Sequence, residues 1–122
     1  MKFVRDPGSM VTVRHIEKGR IRIGTEELTE NVILFRDTIS RGWQPADAEN
    51  LGVHDLADLL EQEPEVIIFG SGWQPQLPPR ELVFAMARRG IGFEMMDTPA
   101  ACRTFNVLVS EDRDVAAVLI ID

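Results

Sequence analysis

Apolar positions along the chain fall into two kinds of run. Residues 66–69 and 115–121 are apolar at nearly every position, which predicts strands buried on both faces. Between them, apolar residues recur every three to four positions. Leu82, Val83 and Met86, widened by Phe84 and Ala87, predict the buried stripe of one helix, and Ala101, Phe105, Leu108 and Val109 that of another. Pro79 opens the first helix and Gly90 closes it; Thr98 as cap and Pro99 as first residue open the second. A further apolar strand lies between them at residues 91–96. Residues 65–122 therefore read strand–helix–strand–helix–strand, the order of parallel strands joined by helical crossovers.

The first half alternates instead. Val11 and Val13 oppose Thr12, Arg14 and Ile16, and Ile21 and Ile23 oppose Arg20 and Arg22, across the short link Glu17-Lys18-Gly19. This predicts a β-hairpin with one polar face, lying at an edge or forming a small layer of its own. Residues 26–30 read as a polar turn, and Val32-Ile33-Leu34-Phe35 as a buried strand. Residues 37–50 read as a long loop. Residues 55–63 read as a helix presenting Leu56, Leu59 and Leu60, capped by His54 or Asp55 and stopped by Pro64. The expected organisation is a flexible lead over residues 1–10, with Gly8-Ser9-Met10 either natural or a cloning remnant, followed by one α/β domain over residues 11–122.

Composition narrows the function classes. With 44% hydrophobic and 27% charged residues among 122, the chain has the make-up of one ordered globular domain. A net charge of −7 argues against a nucleic-acid partner, since phosphate binding needs a basic face. No apolar run approaches the ~20 residues that span a bilayer, so an integral membrane protein is not expected. Cys102 is the sole cysteine, which forbids an internal disulfide. His15 and His54 lack metal-ligand spacing, and no cofactor signature is present. The first ten residues lack a secretion core, so a cytoplasmic setting is expected.

Candidate chemistry clusters in three places. Gly70-Ser71-Gly72 follows a strand and precedes a helix, the context of a phosphate-cradling loop. The dinucleotide fingerprint needs a third glycine where Pro75 stands, so the plain reading is a sharp backbone turn off the sheet. Gly42-Trp43-Gln44-Pro45 and Gly72-Trp73-Gln74-Pro75 each follow an apolar strand. This is either shared loop chemistry or a device placing Trp43 and Trp73 around one cleft. Glu94 in a strand and Arg103 near a helix start suggest a buried ion pair, a clamp for an anion, or a solvated face. Cys102 lies early in a helix whose dipole lowers a thiol pKa, yet a lone buried cysteine is usually a small hydrophobe.

Residues 90–108, Gly-Ile-Gly-Phe-Glu-Met-Met-Asp-Thr-Pro-Ala-Ala-Cys-Arg-Thr-Phe-Asn-Val-Leu, resemble the hallmark segment of one family. It comprises small α/β domains of unknown function in bacterial and archaeal proteins and in a mitochondrial respiratory complex I assembly factor. Val66-Ile67-Ile68-Phe69-Gly70-Ser71-Gly72 is similar to that family's strand and Gly-x-Gly element, and the resemblance extends over residues 11–121. It implies a three-layer α/β domain, a β-hairpin layer beside a central mixed sheet flanked by helices. The family that the chain resembles has no established enzymatic activity or cofactor, and its eukaryotic assembly factor acts through protein partners. The family's motif positions fall on Gly70, Gly72, Glu94, Thr98, Arg103, Thr104 and Asn106. Phe105 stands where the family commonly has tyrosine, so any role of a phenol hydroxyl is absent here.

The leading expectation is a non-enzymatic interaction or assembly module linked to respiratory or membrane complexes. Its surface would include Trp43, Trp73 and Phe84, and its partner another protein or a second copy. The alternative is a small-molecule or anion binder with a cleft near Gly70, Ser71, Gly72, Trp73, Glu94 and Arg103, joined by Thr98 and Asn106. An enzyme using Glu94 or Cys102 stands third.

Overall fold

The computed structural model describes residues 12–45 and 51–121. The lead expected over residues 1–10, and Asp47 and Glu49 of the expected loop, lie outside them. A small antiparallel sheet holds β1 (Val13–Glu17), β2 (Arg20–Ile23) and β3 (Glu26–Leu28), in that order. The expected hairpin therefore gains a third strand where a polar turn was read. Only Leu28 of β3 is buried, so three residues with two glutamates carry no detectable alternation. Arg20 Nε lies 2.9 Å from Glu27 across this sheet. A register shift between Val13 and His15 breaks the alternation of β1, leaving Val13 buried and His15 exposed.

The central sheet contains β4 (Val32–Phe35), β5 (Thr38–Arg41), β6 (Val66–Gly70), β7 (Gly92–Met96) and β8 (Val115–Leu119), in the order β5-β4-β8-β6-β7. β6 runs parallel to β7 and β8, while β4 runs antiparallel to β5 and β8, so the sheet is mixed as expected. β5 corrects the reading of residues 37–50 as loop. It follows a two-residue turn with Arg36 at φ 56° and buries only Ile39, too little for a strand signal. β8 occupies the middle and is buried at all five residues. Val115, Ala117 and Leu119 enter one core, Ala116 and Val118 the other, the two-residue period of a strand between two layers.

On one face, α3 (Thr98–Ser110) and the small sheet lie over Leu34, Ile68 and Leu119. On the other, α1 (Ala57–Glu61), entered through a 3-10 turn at Val53–Leu56, and α2 (Arg80–Arg88) cover Phe35, Ile67 and Val118. Three layers result, in agreement with the expected fold. Full burial of a leucine or phenylalanine contributes about 1.5–3 kcal/mol, and both cores hold several.

The crossovers fix where a crevice opens. β7 and β8 flank β6 on opposite sides. Right-handed crossovers leading to opposite sides must use opposite faces, and α2 and α3 do so. The carboxyl end of β6 is thus a topological switch point. The stripe of α2 differs from expectation: Leu82, Ala85 and Met86 face the sheet, leaving Val83 37% and Phe84 53% exposed. Arg80, Glu81 and Arg88 gather on the side away from Leu82 and Met86 and set the phase of the helix, which leaves Val83 and Phe84 outside its buried stripe.

Candidate functional site

Gly70, Gly72 and Thr98 meet at the switch point in a closed set of hydrogen bonds. The Thr98 N–H donates to the Gly72 carbonyl (2.6 Å), and the Gly72 N–H donates to Thr98 Oγ1 (2.9 Å). The Thr98 hydroxyl donates to the Ile120 carbonyl (2.6 Å), and the Ile120 N–H to the Gly70 carbonyl (3.0 Å). One fully buried threonine thereby ties the ends of β6 and β8 to the start of α3. A Cβ on Gly70 would sit 2.9 Å from Thr98 Oγ1 and 3.0 Å from its Cα, so this approach requires glycine. Gly72 has φ 100°, which also favours glycine.

The Ser71 N–H donates to the Met96 carbonyl (2.8 Å), and its hydroxyl lies within reach of the carbonyls of Gln74 (2.9 Å) and Met96 (3.1 Å). The N–H groups of Ser71 and Gly72 are therefore committed within the fold. A phosphate cradle needs such donors aimed at a ligand. Thr98 is not the helix cap: Asp97 is, its Oδ1 accepting from the Ala100 N–H at 2.8 Å, with Pro99 the second helical residue. The threonine hydroxyl was free to hold the glycine loop.

Asn106 joins the layers. Its Oδ1 accepts from the Val13 N–H (2.8 Å) and its Nδ2 donates to the Val13 carbonyl (2.9 Å), so α3 grips β1 as a neighbouring strand would. Asn31, which the sequence did not single out, is 5% exposed; its Oδ1 accepts from the Ile121 N–H (2.9 Å) and its carbonyl from the Gly42 N–H (2.8 Å). An asparagine directly before a buried strand is the one signal that marks it. Thr104 Oγ1 donates to Met96 Sδ at 3.5 Å. Phe105, at 1% exposure, belongs to the core.

The expected buried Glu94–Arg103 pair is not formed: both residues are exposed, and no ion pair joins them among the described residues. Phe105 points inward from α3, and Arg103, two residues earlier, lies some 160° around the helix, on its outer side. Cys102 is buried, and desolvation pushes its thiol up to about 12 against the opposing charge of Arg103. The shift runs opposite to the lowering expected for a thiol early in a helix, because the group is desolvated.

A cavity of about 490 Å³ opens at the carboxyl ends of β6, β7 and β8, walled by Leu51, Phe69, Ser71, Leu77, Met95 and Ile120 among others. Ser71 is the one candidate binding residue in its wall; Gly70, Gly72, Trp73, Glu94, Thr98, Arg103 and Asn106 are not in it. Trp43 and Trp73 are not brought together in the wall of this cavity. Trp43 lines a separate one of about 240 Å³, donates from Nε1 to the Asp55 carbonyl (2.9 Å) and packs edge-on to Phe69 at 5.8 Å between centroids. Trp73 is half-buried. Leu77 is 93% exposed at the cavity mouth.

The chain is 30% identical over 110 residues to the "13 kDa major membrane protein" of Francisella tularensis, covering 84% of this chain and 85% of that protein. It is 39% identical over 80 residues to the Danio rerio NADH dehydrogenase [ubiquinone] 1 alpha subcomplex assembly factor 3, covering 64% of this chain and 46% of that protein. Less than half of that relative is therefore matched. A solved Xanthomonas campestris protein, 32% identical, superposes with a TM-score of 0.81 over 90% of this chain and 83% of its own. No helix among the described residues is long and apolar enough to cross a membrane. A model of proteins of unknown function matches residues 13–120, and the chain belongs to that family, DUF498/DUF598.

Proposed function

We propose that the chain is a non-enzymatic interaction module serving the assembly of a respiratory or membrane protein complex. The observation that carries this reading is how the motif's polar groups are spent. Thr98 is spent on the glycine loop and the end of β8, and Asn106 on the Val13 backbone, leaving few groups directed at a reacting molecule. The relative named as a complex assembly factor supports the choice of process, and the relative named as a membrane protein supports a membrane complex. Partners are then other proteins, and a cytoplasmic setting belongs to the same proposal. Apolar side chains left outside, Leu77, Val107 and Phe84 among them, supply surface for association.

Deleting the gene and resolving solubilised membranes on native gels tests this. The expected result is accumulation of incomplete complexes, restored by the intact chain. Unchanged complexes in the deletion strain would overturn it. A small-molecule binder is the second reading, favoured by the cavity beside Ser71. Saturable thermal stabilisation by a metabolite, lost when the cavity is filled by a larger side chain, would move it ahead.

A further inference from the structure

The face around the start of α2 combines two concavities with two arginines that form no ion pair among the described residues. The cavity at the strand ends adjoins a second of about 600 Å³, and Leu51 and Pro79 line both. Together they form a groove, apolar at one end through Phe69, Leu77 and Met95, and lined at the other by Arg80 and Arg88. Arg80, Phe84 and Arg88 follow one another at four-residue steps, so an exposed ridge beside the groove runs cation, aromatic, cation. Neither arginine has an ion-pair partner among the described residues. Among the described residues Glu81 is the acid lining this end, one carboxylate against two guanidinium groups.

We infer that this groove docks a polypeptide segment of a partner protein, one carrying a large apolar side chain flanked by carboxylates. The apolar side chain enters the cavity at the strand ends, and the carboxylates meet Arg80 and Arg88. A buried apolar anchor with charges at its rim is the usual division of labour in such contacts. Arginine suits the rim because its planar fork takes a carboxylate through two donors. A lipid surface fits less well, since Arg80 and Arg88 line a concavity shared with Glu81 rather than a broad cationic face that could lie flat on headgroups. This inference rests on the interaction-module reading and adds to it the site and the partner's chemistry.

The test is selection of a displayed random short-peptide library on the purified chain, followed by anisotropy titration of the enriched peptides. Enriched sequences are expected to pair Leu, Phe or Trp with neighbouring Asp or Glu. Their affinity is expected to fall about tenfold or more in Arg80→Glu/Arg88→Glu and in Leu77→Ser, and to fall with added salt for the wild type. All three positions are exposed, so unchanged melting temperatures confirm that folding is intact. Absence of enrichment, enrichment without acidic bias, or equal binding by the variants would overturn the inference. So would loss of co-sedimentation with phosphatidylglycerol vesicles in the variants while peptide binding is unaffected. If Arg80→Glu/Arg88→Glu still restores complexes in the deletion strain, the groove is not the docking site, yet the assembly reading survives. If deletion has no effect on complexes, that reading fails first.

Discussion

Replacing Thr98 by valine keeps its shape and removes one hydroxyl from the switch point. That hydroxyl accepts from the buried Gly72 N–H at 2.9 Å and donates to the Ile120 carbonyl at 2.6 Å. Leaving a buried donor or acceptor unmatched costs about 1–3 kcal/mol each. Ile120 is half-buried, so its carbonyl regains some contact with water, and the Gly72 N–H carries most of the loss. The sum is about 2–4 kcal/mol, a fall in melting temperature on the order of 10 °C for a chain of this size. Thr98→Ser is the control: it keeps both bonds and gives up one buried methyl, about 1 kcal/mol. Denaturant titration with unchanged slope would report the difference as stability alone. A valine variant losing less than about 1 kcal/mol, or a serine variant losing as much as valine, would refute the assignment of the motif threonine to the fold.

Other positions separate fold from surface in the same way. Asn106→Leu should release the β1 edge and cost about 2–3 kcal/mol, with faster amide exchange at Val13 as the local readout. Arg103→Ala should change stability by no more than about 0.5 kcal/mol in the same titration, because the side chain is exposed on the outer side of α3. Gly70→Ala should cost about 1–3 kcal/mol by thermal melting, since the new methyl meets the Thr98 backbone at 3.0 Å. Cys102 should resist alkylation in the folded state and react at once in denaturant. Its thiol pKa rises from 9.0 to about 12 on folding, so its contribution is complete below pH 9.0 and is lost as pH climbs toward about 12.

Much of the fold was legible because its second half obeys strong local rules. The apolar runs of β6 and β8, the punctuation of α2 by Pro79 and Gly90, and the stripe of α3 each admit one reading. β3 and β5 escaped because each buries a single residue, Leu28 or Ile39, and owes its existence to a neighbouring strand. The stripe of α2 escaped at Val83 because large apolar residues outweigh the small Ala85 in such a pattern, although Arg80, Glu81 and Arg88 mark the outer side. The site was legible in part. Gly70, Thr98 and Asn106 stood out as residues, but only topology revealed that Thr98 clasps the glycine loop to the end of β8 while Asn106 grips β1. Glu94 and Arg103 were brought together on paper by opposite charge, but both are exposed, and Arg103 lies some 160° around α3 from the buried Phe105. The groove beside α2 had no sequence signal, since Leu51, Leu77 and Met95 come from three separate stretches.

The claim that this chain works by associating with other proteins is tested most directly by its own size in the cell. Extract from solubilised cells, with the chain at its natural level, would be separated by mass and probed for it. Co-migration with subunits of a membrane or respiratory complex, well above the chain's own mass, is the expected result. Migration of the whole pool at its own mass, under conditions that keep those complexes intact, would contradict the account.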